Sequence, residues 1–236
     1  MCYEKSVSLK NLDNSLVGYW DMETLSGILL KDLSGNGNEG VFSGGMNSTG
    51  SLTGGILGMG RSFNGDLDYI NIANSSSLNP KEITISAIIN TFGNGIKSNY
   101  FPRILGKGAN PSSEQYALWQ TLTGSISPFT FRLNPINKLT AQVQGYESSP
   151  INSYVNITVT YNLKETKIFI NGKLDNLSSD NYSGIIIDST KNLIIGNTSW
   201  SSGLNRAFYG TIDDIKIYNR ALSDSEIKQH AKAAGF

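Results

Sequence analysis

The sequence predicts an all-β protein, a two-sheet antiparallel jelly-roll sandwich with a short C-terminal helix. Three observations predict it. Of 236 residues, 25 are Gly, 25 Asn and 30 Ser, so about a third are of turn-forming types. Turn signals recur roughly every 8–12 residues, the spacing of a sandwich or barrel. Between them the apolar residues alternate with period two, and no helix recurs between strands, which excludes doubly wound α/β folds. Apolar residues at 39% and aromatics at 10% supply a core, and a chain of this length stands without disulfides.

The elements follow in order. Residues 1–13 match nothing downstream and read as a stub or linker, and 14–236 read as one domain. Leu16–Trp20 is a short apolar strand, and Ser34–Asn38 (SGNGN) is a tight turn rich in residues that tolerate positive φ. Arg61–Gly65 ends a strand, and Asp68–Ile72 alternates. Glu82–Thr91 puts Ile83, Ile85, Ala87 and Ile89 on one face and Thr84, Ser86 and Ile88 on the other, which predicts a central strand. Strands are expected at Arg103–Gly106, Gln115–Leu122, Pro128–Leu133 and Thr140–Gly145. Tyr154–Tyr161 and Thr166–Asn171 form a hairpin across Asn162–Glu165. Gly184–Ile187, Asn192–Gly196 and the long Phe208–Tyr218 complete about a dozen strands. The terminal helix starts at Ser223, whose capping partner Glu226 stands three residues on, and Ile227 and Ala231 give it one apolar side.

Composition removes several function classes. Nineteen basic and nineteen acidic residues cancel, so the footprint of a nucleic-acid binder is missing. No apolar run approaches the ~18 residues of a membrane span, and no signal-peptide pattern opens the sequence. Cys2 is the sole cysteine and forms no internal disulfide. His230 is the sole histidine, which rules out His-rich metal sites and forces any Ser–His or Cys–His chemistry through an exposed helical position. The glycines of Gly55–Gly60 lack the strand–turn–helix setting of a dinucleotide fingerprint and read as a flexible turn. Six Asn-x-Ser/Thr sequons, at Asn47, Asn74, Asn156, Asn176, Asn181 and Asn197, are what an Asn- and Ser-rich chain contains by chance.

Several strings resemble laminin-G-like domains. These are LVGYWDME from Leu16 with KDLSGNGNEG from Lys31, RSFNGDLDYINI from Arg61, and EITISAII from Glu82. VTYN from Val159 with IFINGK from Ile168 resembles the family's central hairpin, and FYGTIDDIKIYNRALSDSEI from Phe208 is the most specific match. The resemblance runs from about Asn14 to Ala233 and implies the concanavalin-A-like lectin/glucanase sandwich. The family's usual tryptophans are replaced by Ile88 and Tyr154.

The resemblance also implies a structural calcium ion where the first strands meet the last. Asp21, Glu23, Asp32 and Asp213 are its candidate ligands, with oxygens from the Ser34–Asn38 turn. Period two places Asp213 beside Ile215 and Ile217, and a buried carboxylate must be metal-bound or hydrogen-bonded. The alternative is that Asp213 accepts N–H bonds from the Ser34–Asn38 turn.

Sandwiches of this kind bind sugars on a concave sheet face or in end loops, using aromatic faces and planar polar groups. Trp119 and Trp200 are the candidate platforms, and Tyr100, Phe101, Arg103, Gln120, Arg132 and Gln144 would line a face near Trp119. The alternatives are core packing for Trp119 and a folded-back loop anchor for Trp200. Catalysis is not expected: the paired carboxylates of sandwich glucanases are absent from the central strands, and Glu114 stands alone. The expected role is a non-catalytic extracellular or surface-displayed module that recognises a glycan or a protein, a monomeric part of a longer protein. The rival is a structural or adhesive surface module, as in a pilin-like protein, with no small ligand.

Overall fold

The structure is a computed structural model and describes residues 13–94, 101–108, 114–122, 127–136, 141–147, 149–178, 184–198 and 206–236. Of the sequence expectations, those on Tyr100, Trp200 and residues 1–12 lie outside the described residues.

Seventeen strands stand among the described residues. In chain order they are β1 (Leu16–Trp20), β2 (Leu25–Ser26), β3 (Leu29–Leu30), β4 (Gly40–Ser43), β5 (Leu52–Gly54), β6 (Met59–Asn64), β7 (Tyr69–Ile72) and β8 (Ile83–Thr91). Then come β9 (Arg103–Gly108), β10 (Glu114–Gln120), β11 (Phe129–Leu133), β12 (Ala141–Gln144), β13 (Tyr154–Tyr161), β14 (Thr166–Ile170), β15 (Lys173–Ser178), β16 (Leu193–Ile195) and β17 (Tyr209–Tyr218). The helix α1 spans Asp224–Ala233.

All pairings are antiparallel and build two sheets. The first runs β15-β14-β13-β8-β17-β6-β5, with β1 also paired to β17. The second runs β12-β11-β10-β9-β16-β7-β4-β3-β2. The period-two rule holds where it was clearest: Ile83, Ile85, Ala87 and Ile89 face the shared core, and β8 lies between β13 and β17. From the second sheet, Tyr116, Leu118, Phe129, Phe131 and Leu133 meet them in one apolar cluster.

The short strands β2 to β5 and the edge strand β15 carry too few alternating apolar residues to be read from sequence. Gly184–Ile187, expected as a strand, makes only an isolated bridge from Ile186 to Pro135. The helix begins as expected. Ser223 Oγ accepts from the Glu226 amide at 3.3 Å, and the Glu226 carboxylate accepts from the Ser223 amide at 2.8 Å. Its Ile227 packs with Leu16, Phe169, Tyr218 and Leu222 in a separate small cluster, while His230 stays exposed and stacks on Tyr218. No helix among the described residues is long and apolar enough to cross a membrane.

Candidate functional site

The second sheet carries its chemistry on the face away from the core. On β10, Tyr116, Leu118 and Gln120 point inward, so Ala117 and Trp119 point outward. Two register irregularities bring charge to that outer face. Leu118 pairs with Leu105 but Trp119 pairs with Arg103, so one step on β10 spans two on β9. Strict alternation would turn Arg103 inward with Leu105; the extra residue turns it outward beside Trp119. At the other end, Tyr116 pairs with Lys107 and Glu114 with Gly108, which re-aims Glu114 in the same way. Gly106 has no side chain on this face, and a Cβ there would approach both Glu114 and the Ala117 Cβ.

The result is a buried ionic group on an aromatic floor. Arg103 Nη2 donates to Glu114 Oε1 at 3.0 Å, and Arg132 Nη1 reaches Glu114 Oε2 at 3.5 Å. The Arg103 guanidinium lies 4.1 Å from the Trp119 ring centre and that of Arg132 4.9 Å. Such contacts contribute ~0.5–2 kcal/mol each and fix the planes of both guanidiniums. Arg132 is further held by the Gln142 amide oxygen, at 3.2 Å from Nε and 2.9 Å from Nη2. A third guanidinium, Arg206, lies 4.9 Å from the Phe101 ring centre. Phe101, Arg103, Trp119, Arg132, Gln142 and Arg206 line a hollow of about 400 Å3, with Thr121, Thr130 and Gln144 completing its wall and Glu114 behind it.

Burial dominates the electrostatics. It pushes Arg103 down to about 10, against the pull of Glu114 and with help from Arg132 and Arg206. Burial raises Glu114 although all three arginines oppose the shift, and it lowers Arg206. Arg103 therefore remains a cation at neutral pH.

Trp119, Arg103, Arg132 and Gln144 are thus brought together with Phe101. Three expectations need correction. Gln120 faces the interior, where its Oε1 accepts from Thr91 Oγ1 at 2.6 Å and its Nε2 donates to the Ser127 carbonyl at 3.1 Å. It follows Trp119 directly, so alternation sends it to the opposite face. Trp119 itself is packed rather than an open platform: it is only 5% exposed, and guanidiniums lie over its ring. Nor does Glu114 stand alone. Sequence reasoning missed Arg206, Thr121, Thr130 and Gln142. Thr130 is two residues from Arg132, and Gln142 two from Gln144, so alternation alone could have found both; Arg206 reaches the hollow from outside any strand.

The four carboxylates suggested for calcium do not converge. Among the described residues no three His, Cys, Asp or Glu side chains are placed to share a metal ion. Asp21 accepts from the amides of Glu23 and Thr24 and from the Thr24 hydroxyl. Asp32, not Asp213, organises the Ser34–Asn38 turn: it accepts from the amides of Tyr19, Ser34 and Asn38 at 2.9–3.0 Å. With both oxygens of each committed to their own loops, these residues do not fit a calcium cage.

Asp213 is fully buried, as expected, but for a different reason. β17 is irregular between Asp213 and Lys216, and Asp214 has φ +48°, so Asp213 does not share the inward face of Ile215 and Ile217. The Gly55–Gly58 turn covers it instead. Its Oδ2 accepts from the amides of Ile56 at 3.0 Å and Leu57 at 3.1 Å. A Cβ at Gly55 would lie 2.5 Å from that oxygen, and one at Gly58, where φ is +101°, 2.8 Å from Glu23 Oε2. The glycine string is therefore an anchored carboxylate cradle rather than a flexible turn. Glu23 closes it by accepting from the Met59 amide at 3.0 Å.

Comparisons with known proteins agree with this architecture. A family model of the concanavalin A-like lectin/glucanases superfamily, of laminin-G type, matches residues 63–228. Domain 4 of an extracellular GH43 arabinanase from Geobacillus stearothermophilus, solved with arabinotriose, superposes with a TM-score of 0.67 at 16% identity, over 92% of this chain and 98% of that one. The binding domain of Paraclostridial Mosquitocidal Protein 1 gives 0.64 at 22% identity, over 96% of this chain and 53% of that one. The binding domain of botulinum neurotoxin serotype D gives 0.68 at 15% identity, over 93% and 51%. The chain spans about half the length of these toxin domains. No curated protein sequence gives a significant match. The two stacked sheets and the family match over most of β6 to α1 place this chain in the concanavalin A-like lectin/glucanase superfamily.

Proposed function

We propose that residues 14–236 form a non-catalytic binding module, part of a longer extracellular or surface protein, which takes a glycan or protein partner in the hollow over Trp119. The observation that carries this reading is the hollow itself: buried Arg103, re-aimed by irregular pairing and held by Glu114, joins the half-buried Arg132 and Arg206 around a space open to the outside. Sheets do not bury charge on an outward face without cost, and ligand sites are where such arrangements recur. A solved relative of the same fold was captured with arabinotriose, and others are toxin binding domains, which supports a recognition role. Glu114 is the carboxylate in this group, and it is engaged by Arg103; hydrolysis by a retaining mechanism would need two carboxylates ~5–5.5 Å apart.

Glycan-array and cell-surface binding of the wild type and of Gln144→Trp test the proposal. Gln144 is exposed on β12 at the wall of the hollow, so a large ring there obstructs the site without entering the core. Loss of binding by the variant, with an unchanged melting curve, is the expected result. Equal binding by both proteins would move the site elsewhere, and no binding of any kind would favour the structural module.

A further inference from the structure

The hollow presents charge rather than an aromatic surface. Trp119 is covered by guanidiniums, so its ring offers no broad face to a sugar, and the charged groups dominate the described lining. Among the described residues three guanidinium groups surround one carboxylate, a net positive group. The whole chain is neutral, so this surplus is local and not a reflection of a basic protein. Arg206 Nε is buried without a hydrogen-bond partner among the described residues, an unfavourable state for a donor that a bound acceptor would relieve. Guanidinium forks match the geometry of carboxylate and sulfate oxygens. The rim is polar: the exposed amides of Gln142 and Gln144 suit ring hydroxyls. The volume of about 400 Å3 falls in the small-ligand range.

Resting on the binding-module reading above, we infer that the hollow takes an acidic saccharide, with its anionic group held among Arg103, Arg132 and Arg206 and its hydroxyls on Gln142 and Gln144. Trp119 then acts as a positioning residue that fixes two of the guanidiniums, and Glu114 spaces them.

The test is an array of uronate-, sialate- and sulfate-bearing oligosaccharides beside their esterified or desulfated neutral counterparts and a poly-glutamate peptide. Calorimetry of the best binders follows, on wild type, Arg206→Gln and the matched surface control Lys191→Gln. The expected result is that an acidic saccharide binds about tenfold or more tightly than its neutral counterpart. That preference should shrink with added salt, fall about tenfold in Arg206→Gln and survive in Lys191→Gln. The carboxylate and sulfate columns tell which oxyanion is preferred. Equal or tighter binding of the neutral counterparts would overturn the acidic class and leave the binding-module reading intact. Capture of poly-glutamate alone would overturn the saccharide, again leaving that reading intact. Binding of nothing on the array would overturn both. Should Arg206→Gln melt early, Arg132→Gln provides the same readout from a partly exposed position.

Discussion

Strand β9 buries two cations four residues apart, and they have opposite fates. Lys107 is fully buried and Arg103 is 3% exposed. Lys107 Nζ donates to Asn74 Oδ1 at 2.7 Å, Asn79 Oδ1 at 3.0 Å and the Ser189 carbonyl at 2.6 Å. All three of its protons are used, and the oxygens come from loops at one end of the sandwich. Burial pushes it down to about 8, yet it stays mostly charged at neutral pH. Arg103 shares one carboxylate with Arg132, and Arg206 stands alongside, so three cations gather about one described carboxylate. The lysine is a tie between loops and leaves nothing to bind. The arginine belongs to a group whose surplus charge faces an open hollow. Burial of charge alone therefore does not mark a functional site; the balance of charge and its access to open space do.

The largest effect expected from breaking this contrast is in Lys107→Met. It strands three oxygens around an apolar side chain and should destabilise by ~3 kcal/mol in urea unfolding, with ligand affinity of the folded protein unchanged. A neutral result would mean that the loops satisfy one another without the lysine.

Next comes the buried acid at the other sheet. Asp213→Ala leaves the Ile56 and Leu57 amides unmet and should cost ~2 kcal/mol, whereas Asp213→Asn keeps an acceptor and removes the buried charge. Burial, reinforced by Asp214 and Glu23, pushes Asp213 up to about 6 against the pull of the Leu57 and Ile56 amides. The sign follows from proton counts. Between roughly pH 4 and 6 the folded protein holds a proton that the unfolded chain has lost, so stability from this group falls as pH rises through that window. Wild type should therefore gain up to ~2 kcal/mol relative to Asp213→Asn when both are taken from pH 7 to pH 4.5. Parallel pH profiles for the two proteins would contradict the raised carboxyl.

In the hollow, Trp119→Ala should weaken ligand binding by the folded protein about tenfold or more by releasing two guanidiniums. The smallest effect is expected from chelation. An ion at 100-fold over its Kd would add ~2.7 kcal/mol. Because the four carboxylates do not converge, melting with and without chelator should differ by less than ~0.5 kcal/mol.

Much of the fold was legible because β8, β13 and β17 are long and sandwiched between neighbours, so alternation repeats often enough to be read. The helix was legible from one capping box. The site was legible only in part. Trp119, Arg132 and Gln144 follow alternation on their strands, but Arg103 and Glu114 reach the outer face through irregular pairing that no single strand reveals. Gln120 was misplaced because nearness in sequence to Trp119 was read as sharing a face, when adjacent strand residues face apart. Asp213 was read as buried by parity; its burial comes instead from a glycine turn 155 residues or more away in the chain, a contact that local pattern cannot show.

The most direct measurement is a solution titration of an acidic oligosaccharide, followed through the indole N–H of Trp119 and the guanidinium Nε–H signals of Arg103, Arg132 and Arg206. The account predicts that these signals shift together at one saturating concentration while the Lys107 and Asp213 regions stay still. Shifts confined to the end loops or to the first sheet, with the Trp119 indole unmoved, would contradict it.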